Sequence, residues 1–189
     1  VCSAVGGAIS SAFGSVSSAL GSALSGIGSV IGAVSTAFVP LLSALSVAMP
    51  YIGAVINVID AVCRILGLQD KDESIPDIGD RVLQGQEAGV TPANFETYEK
   101  YMEAIRSFEL DPKKSKDYNL GEKVAAGVGA QFWGMEEKFG VGSGILLTHI
   151  IKDAPNLAEG KGFFTEERIS RILDGVDTVA DVVKYFDKK

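Results

Sequence analysis

The chain of 189 residues carries 24 acidic and 17 basic side chains, one histidine and two cysteines, for a net charge of −7. This acidity disfavours binding to a phosphate backbone, because no counterion release is gained, and Cys2 and Cys63 offer neither a disulfide framework nor metal-ligand spacing. Every Asp, Glu, Lys and Arg lies between Asp60 and Lys189, so 59 uncharged residues precede a part composed like a soluble surface.

The first predicted element is a long helix. Val5, Ile9, Phe13, Val16, Leu20, Leu24, Ile27, Ile31, Val34 and Phe38 recur at spacings of three and four, which is helical periodicity. A second series, Gly7, Gly14, Gly21 and Gly28, repeats every seven residues, and Ser11, Ser18, Ser25 and Gly32 follow these glycines four positions later. Each pair is a small-xxx-small unit of the kind that lets helix backbones approach closely. Stepping about 100° per residue, the small series lies roughly opposite the bulky one, so one face is aliphatic and the other nearly bare backbone.

Residues 3 to 38 hold seven glycines. Each costs a helix interior about 0.8–1 kcal/mol relative to alanine, roughly 6 kcal/mol together. Such a helix needs partners on both faces to persist in water. The first 38 residues lack the basic start and short apolar core of a secretory signal and read as mature protein.

Pro40 is expected to end or kink this helix near Phe38, and Pro50 to break the apolar region again. Leu41, Leu42, Leu45 and Val47 to Met49 form its next piece. Ile52, Val55, Ile56, Ile59, Val62, Cys63 and Leu66 are then spaced as a helix that Gly67 caps. The 22 uncharged residues from Phe38 to Ile59 suffice to cross about 30 Å of hydrocarbon, with only Arg64 and Lys71 close enough to orient a span. Cys2 and Cys63 read as buried thiols, with acylation of Cys2 as the alternative.

Residues 69–80 are rich in charge and turn formers and are expected to be a linker between an apolar segment, 1–68, and a soluble bundle, 81–189. Ile78 and Val82 with the Gly89 stop outline a short helix. Thr91 and Pro92 open another with Phe95, Tyr98, Met102 and Ile105 on one face. Asn119 and Glu122 form a capping box for a helix bearing Val124, Val128, Phe132, Met135 and Phe139, with Gly140 as terminator. Ile145 to Lys152 is a short helix ended near Pro155. Thr165 caps one carrying Ile169, Ile172 and Leu173, and Asp177 caps a last one with Val179, Val182, Val183 and Phe186. No alternating strand is visible, so the expected class is all-α.

Motifs for chemistry fall short. Asp70, Asp72 and Ser74 begin like a calcium loop, but Ile75 stands where glycine is needed and Arg81 where glutamate is. Gly160-Lys161-Gly162 lacks the rest of a phosphate-cradling loop, and Gly140 to Gly144 follows a helix, so both read as turns. His149, amid Leu146, Leu147, Ile150 and Ile151, reads as a core histidine, and Ser143 has no acid or elbow to make it a nucleophile. Trp133, Phe132 and Tyr98 read as core, and Glu136 to Lys138 as a solvated face. The expectation is a non-enzymatic protein with no cofactor, metal or catalytic residue.

Three functions are compatible with this pattern. In the first, the N-terminal helix packs with other copies or other subunits of a large assembly. Its composition is similar to the Gly/Ala/Ser-rich helices of virion ejection proteins, tail-lumen components and related injection machines, a likeness spanning about a third of the chain. In the second, residues 1–68 insert into a bilayer as a pore-former or effector. In the third they are an anchor for a binding module.

Overall fold

In the computed structural model residues 34–139 and 145–173 are described, and all their regular elements are helical, with no strand among the described residues. Helix α1 (Val34–Ala48) passes through a 3-10 turn (Met49–Tyr51) into α2 (Ile52–Ile65). It is followed by α3 (Ile75–Glu87), α4 (Tyr98–Ser107), α5 (Leu120–Phe139), α6 (Ile145–Ala158) and α7 (Glu166–Leu173). The small face Gly7, Ser11, Gly14, Ser18, Gly21, Ser25, Gly28 and Gly32, the apolar face from Ile9 to Ile31, and the helix expected after Asp177 lie outside the described residues; Val34 and Phe38 fall within α1.

Local signals place most of the helix ends. Gly67, at φ +66°, closes α2: its own N–H donates to the Arg64 carbonyl at 3.1 Å and that of Leu68 to the Cys63 carbonyl at 2.8 Å. This is a Schellman motif, whose left-handed residue only glycine adopts without strain, and the buried Leu68 supplies its apolar contact. Gly89 ends α3 in the same way. At the start of α5, the Asn119 side chain accepts the Glu122 N–H at 3.0 Å and Glu122 accepts the Asn119 N–H at 2.8 Å, the reciprocal box expected from their spacing.

Three boundaries differ from the sequence-based expectation. Of the two outcomes expected at Pro40, an end or a kink, the end does not occur, since α1 runs through it to Ala48; nor does Pro155 end its helix, since α6 continues to Ala158. An internal proline costs a helix about 3 kcal/mol or more. In α6 burial of Leu147, Ile150, Ile151 and Ala154 outweighs that cost. Thr91 and Pro92 open only a 3-10 turn (Pro92–Asn94), because Phe95 is extended; α4 starts at Tyr98, where the Thr97 side chain accepts the Lys100 N–H at 3.3 Å.

The stretch 69–80 is not a free connector. Ser74 caps α3, which begins at Ile75 inside the expected linker, and Ile75, Ile78 and Asp80 are buried. Leu41, Leu45, Val55, Ile59, Val62 and Cys63 belong to the same core cluster as Val82, Met102, Phe132, Trp133, Ile150 and Ile169. Helices from both sides of 69–80 thus share one core.

The core has two halves. α3 crosses α5 in the most extensive contact, with α4 leaning on both, while α1 and α2 pack on α6 and α2 also touches α7. At the α3–α5 crossing the backbones meet: a Cβ on Gly79 would lie 1.7 Å from the Lys123 carbonyl oxygen, and one on Gly127 would lie 2.2 Å from the Ile75 carbonyl oxygen. Close approach repays the low helix propensity of these glycines. Gly79→Ala is therefore expected to destabilise the fold by about 1–3 kcal/mol, the usual cost of overpacking. Gly53, which has nothing within 4 Å of an added Cβ, should tolerate the same change or gain up to about 1 kcal/mol. Urea denaturation of the two variants measures the difference, and equal stabilities would show that the crossing is not tight.

Candidate functional site: the apolar helix pair and its polar anchor

The α1–α2 pair is the one feature that composition alone does not reconcile with an ordinary soluble bundle. Ser43–Ile65, 23 residues, is long and apolar enough to cross a membrane by length and composition. Its inner side belongs to the core through Ala44, Leu45, Ala48, Val55, Ile59, Val62 and Cys63. Its outer side carries Val47, 71% exposed, Tyr51, 37%, and Ile65, 39%. Arg64 is the one exposed charge on the pair, whereas the exposed sides of other helices carry more, for example Asp77 and Glu87 on α3 and Glu99 and Glu103 on α4.

The carboxyl end of the pair is tied down by Asp60, the first charge in the chain. It is only 6% exposed, and one oxygen accepts the Ile75 backbone N–H at 2.8 Å and the Gln69 amide at 2.9 Å, with Arg64 at 3.9 Å from the other. Because Ile75 is the first residue of α3, the carboxylate both satisfies an orphan N–H and meets the positive end of that helix. Gln69 and Arg64 each also donate to the Glu73 carbonyl, at 2.6 and 2.8 Å. The Arg106 guanidinium grips Glu73 with two bonds of 2.9 Å and reaches the Leu68 carbonyl at 3.1 Å. The Tyr98 hydroxyl donates to the Gln131 side-chain oxygen at 2.8 Å and lies 3.3 Å from the Leu68 carbonyl. The α2–α3 turn is thus bolted to α4 and α5.

Two further buried carboxylates are also paired structurally. Asp80 accepts from Lys123 at 2.8 Å, from Gln84 at 3.0 Å and from Ser115. Asp153 is fully buried and accepts the backbone N–H groups of Phe163 and of Phe164, the latter at 3.1 Å, and the Asn156 amide at 2.7 Å, fixing the turn that leads into α7. Such pairing is what makes buried carboxylates tolerable. His149 is partly buried on α6, and burial, with Lys152 adding to it, lowers its pKa below the usual imidazole value. Cys63 is a buried thiol whose pKa burial raises. Among the described residues no three His, Cys, Asp or Glu side chains gather in a way that could hold a metal ion.

The sequence had singled out Gly/Ser packing only in the N-terminal helix and passed over Gly79, Gly127 and Gly134 in the bundle. Gly127 and Gly134 stand seven apart, the same period as Gly7 to Gly28, and a Cβ on Gly134 would lie 2.6 Å from the Tyr98 ring. That repeat was the available signal. The Asp60 anchor had no such signal, since its partners are 9 and 15 residues away and are brought together by the α2–α3 turn.

Burial alone would raise the Glu73 carboxyl, but its bonds from Arg106 and from the Asp70 backbone outweigh this and hold it below its ordinary 4.5. Burial likewise opposes, and Lys123, Ser115 and Gln84 overcome, the shift that holds Asp80 below 3.8. For a depressed carboxyl, stability is present above the unfolded value and is lost as pH falls through the folded one. Glu137 works the other way: burial and the neighbouring Glu99 raise it, so it adds stability on acidification. The fold should therefore weaken as pH drops below about 4.5, and Glu73→Gln should lower stability at neutral pH and flatten that acid limb. Urea midpoints against pH test this; an unchanged limb in Glu73→Gln would show that the Arg106 pair is not linked to folding. No protein-family model matches the chain, and no curated protein or solved structure is significantly similar to it, so a functional reading rests on the residues themselves.

Proposed function

We propose that this chain is a non-enzymatic structural subunit whose N-terminal Gly/Ser-notched helix packs with other copies or other subunits of a large complex, with the acidic bundle as its base. The observation that carries this reading is the way α1 and α2 are held. One side is built into the bundle core and tied by Asp60, and the other exposes Val47, Tyr51 and Ile65, with Arg64 its one exposed charge. A segment rooted in this way transmits load between base and assembly instead of moving as a tethered tail. The sequence before Val34 then supplies the packing face, where glycines at a seven-residue period allow backbone contact between helices. The compositional likeness to helices of virion ejection and injection machines agrees with this role.

Membrane insertion is the second reading, favoured by the length and apolarity of Ser43–Ile65. It is weighed down by Asp60. An ionised aspartate within a span costs up to about 2.5–3.5 kcal/mol at the bilayer centre, and insertion also breaks the bonds to Ile75 and Gln69.

Replacing Gly14 and Gly21 together by leucine separates the readings, because bulky side chains block helix approach while leaving an apolar surface for lipid. The double variant is expected to lose the high-mass species in sedimentation velocity while keeping the wild-type melting transition. Unchanged mass would show that the small face is not an interface. Dye release from liposomes is expected to be absent for the wild-type chain, and robust leakage would transfer the argument to the pore reading.

A further inference from the structure

We propose that the connection between α4 and α5 is an acid-released strap, latched across one face of α3 by the carboxylates of Asp80 and Glu87. This device belongs to the bundle alone and does not depend on how the N-terminal helix packs.

The strap spans residues 108–119. It holds one 3-10 turn (Lys114–Lys116), and none of residues 109–117 is buried. The turn closes on itself, the Ser115, Lys116 and Asp117 N–H groups donating to the Asp111, Lys113 and Lys114 carbonyls at 3.0, 3.1 and 2.9 Å. Tyr118, at the far end, is partly buried against the core. A segment that buries so little apolar surface has little hydrophobic gain to hold it down, and what joins it to α3 is polar. Asp80, Gln84 and Glu87 stand at i, i+4 and i+7, one stripe of that helix. The Ser115 hydroxyl donates to Asp80, which also accepts from the Lys123 ammonium of α5 at 2.8 Å. Gln84 brackets Asp111, accepting its N–H at 2.9 Å and donating to its carbonyl at 3.3 Å. Glu87 accepts from the Lys114 ammonium at 2.7 Å and from the Tyr118 hydroxyl.

A proton switches two of these three attachment points. It removes the charge that pairs with each lysine and turns an acceptor oxygen into a donor, facing partners that are themselves donors. The charged and titratable groups around the two carboxylates are Lys123 from α5 and Lys114 and Tyr118 from the strap, with Asp111 and Asp117 beside Lys114. Lys114 and Tyr118 hold the Glu87 carboxyl below its ordinary 4.5; at Asp80 burial opposes, but Lys123, Ser115 and Gln84 outweigh it. A depressed carboxyl lends stability above its free value and loses it as pH falls through the latched one, so the strap is closed at neutral pH and released as pH falls below about 4.5. The half-exposed Lys114–Glu87 pair is weak by itself, yet with almost nothing buried beneath the strap such small terms decide whether it stays closed. Release frees Tyr118 from the hollow it lines with Leu83, Gln86 and Glu87, and the covered face of α3 becomes accessible.

The strap carries its own reporter, since Lys113, Lys114 and Lys116 are exposed sites for trypsin, whose cutting rate follows the population of the locally opened chain. In the full chain, Asp80→Asn with Glu87→Gln imitates both protonated carboxyls at neutral pH and is expected to speed cutting at these lysines about tenfold. Cutting at Lys100 and Lys161 should stay at the parent's rate. Glu87→Gln alone, at an exposed position, keeps the Asp80–Lys123 pair and should speed the same cuts to a lesser degree with the melting transition unchanged. In the parent, the Ser115, Lys116 and Asp117 amides are expected to lose exchange protection as pH falls from about 6 to about 4 while helical circular dichroism is retained, and in the double variant to be unprotected at both. Unchanged cutting in Glu87→Gln, cutting that rises equally at Lys100 and Lys161, or strap amides that stay protected until the helices melt would each overturn the proposal.

Discussion

The structure depends on the seating of a largely apolar helix pair, whose only charges are Asp60 and Arg64, against a charged bundle. Burying Leu41, Leu45, Val55, Ile59 and Val62 removes apolar surface from water at about 25 cal/mol per Å². That gain is what makes α1 and α2 part of the core and not an appendage. The hydrophobic term has no direction, however, and alone would let the pair slide or rotate on its support. Asp60 supplies direction. Its bonds to the first N–H of α3 and to Gln69 exist in one register only, and Glu73 with Arg106 fixes the turn between the helices to α4. A polar anchor at one end of an apolar contact sets both the position and the orientation of the helices that lead away from it.

Glycine does different work in the two halves of the core. At the α3–α5 crossing, Gly79 and Gly127 admit carbonyl oxygens where any side chain would collide, so the bundle is locked at contact distance. On the outer side of α2, Gly53 borders open space. The first pair shows that this chain uses the close approach of helix backbones to hold itself together. The Gly/Ser series from Gly7 to Gly32 repeats the same chemistry in a segment with no charge of its own.

What the sequence made legible follows from the range of the interactions. Gly67, Gly89, the Asn119–Glu122 box and the Thr165 cap act within a few residues of themselves, and each ends or starts a helix where it was expected. The faces carrying Val124, Val128, Phe132 and Met135, or Val55, Ile59 and Val62, were readable from their period and are buried. Reading failed where distant packing outweighed local preference. Pro155 should stop a helix, but α6 is held on both sides of it by α1, α2 and the Asp153 bonds to Phe163 and Phe164. The charged run 69–80 looks like a linker because its polar residues are local, whereas the reasons for burying Ile75, Ile78 and Asp80 lie on α5 and at Ser115.

The placement of charge along the chain then acquires a physical meaning. A subunit that must pack with others through an uncharged rod is at risk of uncontrolled aggregation, because apolar surface has no partner specificity. Here the charged residues are concentrated in the bundle, and a net charge of one sign opposes indiscriminate association. Asp60 marks the border between the two regimes, and it is a buried carboxylate with two hydrogen bonds within the chain instead of a solvated one. Placed inward, it holds the apolar pair to its base.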